Sequence, residues 1–72
     1  MADKRRLSTP DEILRAALGK ELEARAFYSG LAERCQIETV KELLEKLKDE
    51  ENKHVKMVED MMASLRLGRS PV

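Results

Sequence analysis

The residues most able to do chemistry lie in the stretch DEENKHVKM, which runs from Asp49 to Met57. Its histidine, His54, is the only one in the chain, and Glu51 precedes it by three positions. Residues three apart share one face of an α-helix, so a helix here would present the carboxylate and the imidazole together. Carboxylate and imidazole donors suit iron or manganese, and zinc as well.

The length of the chain limits how such a pair can be housed. The chain has 72 residues, which is at most one small domain. A chain this short rarely buries enough apolar surface alone, and its single cysteine, Cys35, excludes an intrachain disulfide. Stability is therefore expected from a metal, a partner chain, or both. Cys35 itself is expected to be a small apolar residue at a helix end rather than a reactive thiol.

Charge and hydropathy argue against nucleic-acid and membrane partners. The 14 Lys and Arg residues balance 14 Asp and Glu residues, and only Lys4, Arg5 and Arg6 form a basic cluster. Such a chain has no strong attraction to nucleic acid or to an anionic membrane. It also lacks a signal-peptide pattern and any apolar run near the ~18 residues that span a bilayer. We therefore expect a cytoplasmic protein.

Two sequence signals predict the starts of helices. In the first, Thr9 can cap the helix, Pro10 suits the first helical position, and Glu12 completes a capping box. In the second, Thr39 and Glu42 repeat the same Thr-x-x-Glu spacing. Strand signals are absent, because the chain has few β-branched residues and only two aromatic ones. The sequence therefore predicts an all-α protein.

The predicted helices cover about residues 10–34 and 40–66, with the turn between Arg34 and Glu38. Gly68 and Pro71 mark the end of the second helix. A link this short makes the two helices antiparallel neighbours. We therefore expect one half-domain over residues 1–72, a two-helix hairpin that dimerises into a four-helix bundle.

Each predicted helix carries an apolar stripe that polar residues interrupt in the middle. Its members recur in steps of three and four, the spacing of one helix face. Glu21 interrupts the first stripe, and Glu51 and His54 interrupt the second. The apolar members are Leu14, Ala17, Leu18, Ala24, Tyr28, Leu31 and Ala32 in the first helix, and Val40, Leu43, Leu44, Leu47, Val58, Met61 and Leu65 in the second. Met57, Met61 and Met62 are expected to be packing residues.

The interruptions are expected to meet. In an antiparallel hairpin that turns near residue 37, Glu21 faces about position 53, between Glu51 and His54. Three candidate metal ligands then share one level of a buried seam. Burying unpaired carboxylates costs several kcal/mol, and a divalent or trivalent cation offsets that cost. Two copies of the chain would supply four glutamates and two histidines, enough for two metal ions, and would cover the apolar stripes.

Simpler alternatives exist for each of these residues. Glu51 and His54 on the second helix could lie at a helix edge that is exposed to solvent. Glu21 could form a salt bridge with Arg25, or with Lys53 of the second helix. A small rotation of the first helix would make Glu23 the ligand in place of Glu21. The same chain could therefore be a non-catalytic helical hairpin that serves as an interaction module, because apolar heptad-like positions and dense charges also suit that role.

The spacing Glu21-x6-Tyr28 followed by Glu51-x-x-His54 resembles the ferritin-like, rubrerythrin-type sequences. Those sequences have two such halves in one chain. A single half is most similar to the encapsulated ferritins, which are two-helix half-ferritins, and the resemblance covers roughly residues 12–65. It implies a ferroxidase that oxidises Fe(II) to Fe(III) in iron storage or detoxification, with oxygen or peroxide as the electron acceptor.

The resemblance also implies roles for individual residues. The counterpart of Glu51 bridges two irons, those of Glu21 and His54 are terminal ligands, and Tyr28 hydrogen-bonds a ligand carboxylate. This is a di-iron site with two irons per homodimer. Tyr28 could equally be a plain core residue, and manganese or zinc would fit the same ligands. A redox-inert zinc protein is therefore a further alternative.

The family also differs from this chain in ways that affect assembly. Its members form rings of dimers inside an enclosing protein shell, an encapsulin-type compartment, to which a C-terminal peptide docks them. The tail from Leu65 to Val72 resembles such a peptide only faintly. Glu23 could serve as an accessory metal residue, but Lys20 stands where another acid is expected. Phe27 fits the aromatic residue that usually precedes the tyrosine.

Overall fold

The computed structural model describes residues 9–66, which form two α-helices joined by a short link. Helix α1 is Pro10–Arg34 and helix α2 is Glu38–Arg66, with only residues 35–37 between them. The helices run antiparallel and pack against each other, and no strand occurs among residues 9–66. The predicted all-α helical hairpin is confirmed. Gly68, Pro71 and the basic cluster near residue 5 lie outside the described residues.

The start of α1 has the predicted cap. The Glu12 N–H donates to the Thr9 hydroxyl oxygen at 3.2 Å, and the Thr9 hydroxyl donates to the Glu12 carboxylate at 2.7 Å. The Ile13 N–H donates to the Thr9 carbonyl at 3.0 Å, which closes the first turn. Pro10 occupies the first turn, where its missing N–H costs no hydrogen bond. Together these contacts fix where α1 begins.

The start of α2 lies earlier than predicted, so the expected cap at Thr39 is wrong. The helix begins at Glu38, and the Lys41 N–H already donates to the Ile37 carbonyl at 2.9 Å. Thr39 therefore sits in the first turn. The chain reverses at Cys35, whose N–H donates to the Ala32 carbonyl at 3.3 Å and whose thiol donates to the Ile37 carbonyl at 3.4 Å. Because these bonds hold the link short, helical geometry resumes before Thr39.

The core between the helices is thin. Ala32 of α1 and Val55 and Met62 of α2 are the buried apolar residues of the described chain, and no polar side chain there is buried. Val55 was absent from the predicted stripe of α2. The stripe is two residues wide, and the edge that contains Val55 and Met62 faces α1. The other edge faces away from α1, where the side chain of His54 lies exposed.

Large apolar side chains therefore remain exposed on the hairpin. Two of them, Leu43 and Leu65, line up with His54 along one face of α2, and we call this surface the open apolar face. These two residues, Val40 and Met57 are exposed in a single hairpin, and their coverage by a second copy of the chain stays a prediction. The exposed set is Ile13, Leu22, Phe27, Ile37, Val40, Leu43, Met57 and Leu65, with Met57 at 67% and Phe27 at 62% exposure. Neither helix within residues 9–66 is long and apolar enough to cross a membrane.

The helical glycines make no close packing within the hairpin. A Cβ added at Gly19 or Gly30 would meet no other heavy atom within 4 Å. Both positions therefore carry the conformational cost of glycine without a contact that requires it.

Replacing Gly19 by alanine should stabilise the protein. We expect the free energy of unfolding to rise by about 0.5–1 kcal/mol, because alanine restricts the unfolded chain and favours the helix. Thermal and urea unfolding followed by circular dichroism measure this change, with Gly30→Ala as the matched variant. A loss of stability at Gly19 alone would mean that another chain packs against that position.

Candidate metal centre

Three potential metal ligands meet halfway along the hairpin. The Glu21 carboxylate of α1 lies 3.2 Å from His54 Nδ1 of α2, measured from Oε2. Glu51 Oε2 lies 3.4 Å from the same nitrogen. One ligand atom from each residue can be chosen so that all three lie within 4.8 Å of one another. The structure thus brings together the residues that the sequence spacing selected, while their role as ligands stays a prediction.

The three side chains differ in exposure in a regular way. Glu51 is 16% exposed, Glu21 is 30% exposed, and His54 is 47% exposed. The expected fully buried seam is therefore wrong for one hairpin. Because the α2 edge with Val55 faces α1, His54 lies on the flank of the helix. The cluster is closed by the two helices on one side and open on the other, next to the open apolar face.

Neighbouring cations do not neutralise the cluster. Arg25 donates from Nη1 to the Asn52 side-chain oxygen at 3.0 Å, and Lys53 pairs with Glu50 at 3.2 Å. The salt bridges from Glu21 to Arg25 or Lys53, considered as alternatives from the sequence, are therefore not formed. Among the described residues the ion-pair partner of Glu21 is His54. Neither Arg25 nor Lys53 therefore occupies the carboxylate oxygens of Glu21 and Glu51, which leaves them accessible to another cation.

Close contact between the carboxyl groups changes their proton affinities in opposite directions. A hydrogen bond with Glu21, with partial burial, raises the pKa of Glu51. The same hydrogen bond from Glu51 lowers the pKa of Glu21, and His54 lowers it further. The hydrogen bond with Glu21 raises the pKa of His54. Glu51 thus holds a proton more readily than Glu21 does, and the charged form of His54 is favoured.

The donor set fits a first-row transition metal. Two carboxylates and one imidazole are the ligands that iron and manganese accept, and zinc also binds such a set. Because ligands bind a metal in their deprotonated forms, a cation at the centre would compete with protons for Glu51 and His54, whose pKa values are both raised. Glu21, Glu51 and His54 would hold such an ion with three protein donors, fewer than iron usually takes.

The structure separates Glu23 from this centre. Glu23 is exposed and pairs with Lys20 at 3.4 Å along the outer side of α1. It is absent from the group of three, so Glu21 rather than Glu23 occupies the ligand position in α1. An accessory role for Glu23 stays a prediction.

Tyr28 is half-buried two helical turns after Glu21. Its ring packs against Phe27 with a distance of 5.6 Å between the ring centroids. The hydrogen bonds found among residues 9–66 do not link its hydroxyl to Glu21 or Glu51, whose side-chain partners lie within the cluster itself. Contact between Tyr28 and a ligand carboxylate therefore stays a prediction.

Two residues near the centre escaped the sequence reasoning. Val55 is buried directly after His54, and Asn52 binds Arg25 directly after Glu51. Leu44, Glu51 and Val55 are separated by seven and then four residues, which are steps along one helix face. This spacing could have predicted that Val55 lies on the same face of α2 as Leu44 and Glu51. Asn52 had no comparable signal, because a single exposed amide gives no pattern.

Comparison with known proteins agrees with the geometry. A family model described as rubrerythrin matches residues 12–72, which is most of the chain. No curated protein and no solved structure is a match. The predicted resemblance to ferritin-like, rubrerythrin-type proteins is confirmed at the level of the family. Rubrerythrin-type domains bind iron, and this chain has a Glu, Glu, His group that could hold a metal ion.

The imidazole of His54 should titrate above its ordinary pKa in metal-free protein, because ionised Glu21 stabilises the charged ring. A raised folded-state pKa contributes stability that is fully present below the ordinary value of 6.5 and is lost as pH rises through the folded-state pKa. An NMR titration of the ring protons measures the pKa, and Glu21→Gln should bring it down. An unchanged pKa in Glu21→Gln would exclude this contact in solution.

Proposed function

Because the chain belongs to the rubrerythrin family of ferritin-like proteins, we propose that it oxidises Fe(II) to Fe(III) at a metal site shared by two copies of the chain. The observation that carries this proposal is the group of Glu21, Glu51 and His54 within 4.8 Å, open towards an uncovered apolar face. Iron is the substrate of this reaction. The proposed setting is iron storage or detoxification in the cytoplasm.

Two independent observations support the need for a second copy of the chain: one hairpin has too few metal donors, and it leaves apolar surface uncovered. One hairpin supplies three donors, whereas bundles that hold two irons use four carboxylates and two histidines. One hairpin also leaves the open apolar face uncovered, with Leu43 and Leu65 exposed. A twofold axis beside His54 would supply the missing donors and cover this face in one step.

In the proposed dimer the ligands have distinct duties. Glu51 is the least exposed of the three and would bridge the two metal ions, as its counterpart does in the encapsulated ferritins. Glu21 and His54 would each complete the coordination of one ion. Each Fe(II) ion would give up one electron, so the pair of ions in a dimer would reduce oxygen to hydrogen peroxide, or hydrogen peroxide to water, with two protons taken from solvent. The carboxylates favour the reaction because the more highly charged Fe(III) binds hard, anionic oxygen donors more strongly.

Protons accompany binding and must leave the site. The raised pKa of Glu51 favours its protonated form, and a proton held there would be released to solvent when a cation binds. His54, 47% exposed, offers the route for that release. The lowered pKa of Glu21 favours its charged form, so Glu21 would attract the first cation. Glu23 lies half a turn away on the exposed side and is proposed to attract incoming cations after parting from Lys20.

Further parts of the proposal rest on the resemblance to the encapsulated ferritins. Tyr28 is proposed to hydrogen-bond a ligand carboxylate once a second hairpin packs beside it. A ring of dimers, and an enclosing shell that receives the oxidised iron, would provide the storage space that a hairpin lacks. The tail that would dock to such a shell extends beyond residue 66, outside the described residues.

An interaction module without chemistry is the second candidate, and the exposed apolar residues are the observation that favours it. The two readings differ at the polar centre. In an interaction module, replacing Glu21 and Glu51 by leucine and His54 by alanine would strengthen the dimer and leave its function intact. In the proposed ferroxidase the same change removes iron binding. A zinc protein would bind metal through the same residues but would turn over no iron.

An anaerobic Fe(II) titration tests the proposed function. We expect a sharp end point near about one iron per chain, followed by Fe(III) formation when oxygen is admitted. Glu51→Ala should abolish oxidation, and His54→Ala should weaken iron binding by about tenfold or more. Glu50→Ala is the matched control, because Glu50 is exposed and pairs with Lys53. Absence of saturable binding in the unmodified protein would rule the proposal out.

A charge placed on the open apolar face tests the dimer. Leu43 lies three helical turns before His54 and is 55% exposed in the hairpin. Leu43→Glu should change hairpin stability by less than about 0.5 kcal/mol, but it should weaken self-association strongly, since an interface would bury the charge. Sedimentation equilibrium measures this, with exposed Gln36→Glu adding the same charge elsewhere. Equal association of both variants would place the interface on another face.

A further inference from the structure

A hydrogen bond between the helices lies directly beside the candidate metal centre. Arg25 Nη1 donates to the side-chain oxygen of Asn52 at 3.0 Å. Arg25 follows Glu21 by one helical turn, and Asn52 follows Glu51 directly. Within residues 9–66, the side chain of Glu21 joins the two helices as well, through hydrogen bonds with His54 and with Glu51. Arg25 is thus half-buried and anchored at the level of the ligands.

The choice of partner by Arg25 is unusual for its position. A glutamate four residues before an arginine is the favoured arrangement for an ion pair on a helix surface. Glu21 and Arg25 have this spacing. Arg25 nevertheless binds the neutral amide of Asn52, and the Glu21 carboxylate contacts His54 instead. Arg25 therefore binds an uncharged amide on the opposite helix, although the Glu21 carboxylate lies one turn away on its own helix.

We propose that Asn52 is a positioning residue that holds the Arg25 guanidinium away from Glu21 and so keeps the Glu21 carboxylate free for a metal ion. The proposal rests on the metal site described under the proposed function. An arginine that pairs with Glu21 would compete with the cation for the same oxygen atoms. The guanidinium does not lose its charge near neutral pH, so deprotonation does not remove this competition, whereas a competing acceptor such as the Asn52 side-chain oxygen does.

A purely structural role for the same hydrogen bond leads to different results. If the bond between Arg25 and Asn52 only fixed how the helices align, loss of either partner would weaken metal binding equally, and loss of both would be no better. If Asn52 diverts Arg25, only the Asn52 variant exposes Glu21 to the guanidinium. Removing Arg25 as well then restores metal binding.

A Co(II) titration of four proteins separates these roles. Cobalt is redox-inert here, and its visible absorption reports its ligands. We expect Asn52→Ala to weaken Co(II) binding by about two- to fivefold, the range of one surface ion pair. Arg25→Met should bind at least as well as the unmodified protein, and the double variant should regain that affinity. Lys56→Ala is the control, because Lys56 pairs with Asp60 on the exposed side of α2.

The proposal is overturned if Asn52→Ala binds Co(II) as well as the unmodified protein, or if the double variant stays as weak as Asn52→Ala. Both substitutions are at non-core positions, so the variants are expected to fold, and circular dichroism verifies this. If the unmodified protein binds no Co(II), the proposed metal site fails by itself.

A metal-free measurement keeps the positioning role testable in that case. The Arg25 Nε–Hε resonance should shift in Asn52→Ala as the guanidinium moves to Glu21, and adding Glu21→Gln should reverse the shift. Asn52→Asp retains an acceptor, so the Arg25 guanidinium should stay in contact with the side chain at position 52 of α2. A resonance that does not move in Asn52→Ala, or that Glu21→Gln does not restore, overturns the proposal.

Discussion

Two helices can cover each other along only one line, and this limit governs the whole molecule. An apolar stripe two residues wide needs contact on two sides, but the partner helix supplies one. Burial is therefore confined to Ala32, Val55 and Met62, and the other edge of each stripe stays exposed. Neither a disulfide nor a third helix relieves the shortage within residues 9–66. The two helices and their link form a hairpin, but the hairpin alone does not cover its apolar residues.

The polar centre shares this incompleteness, which links the fold to the chemistry. Glu51 points where the two helices meet and is the least exposed ligand, while His54 lies on the edge that the partner helix does not cover. The two glutamate side chains lie close together, joined by a hydrogen bond between them and by contacts with His54. Covering the exposed apolar edge and saturating the ligand set are thus demands made on the same side of the molecule.

Sequence patterns predicted the parts of this structure that depend on local physics. Thr9 caps α1 because its hydroxyl and the Glu12 amide are neighbours in the chain. The same motif at Thr39 failed, since bonds across the link at Cys35 started α2 earlier. Spacing brought Glu21 to His54, because antiparallel register follows from the turn. Spacing did not decide whether Val55 or His54 faces α1, because a wide stripe permits several rotations and packing selects one.

The link of residues 35–37 also has a kinetic meaning. A reversal this short costs little loop-closure entropy, so contacts nearest the turn, such as those of Ala32, are the easiest to form first. Pairing then spreads outward along the helices, and low contact order of this kind favours fast folding. Glu21 and Glu51 come into contact only when the helices have paired over about half of their length. Their repulsion therefore acts late on the folding path, where it shortens the lifetime of the closed hairpin more than it slows closure.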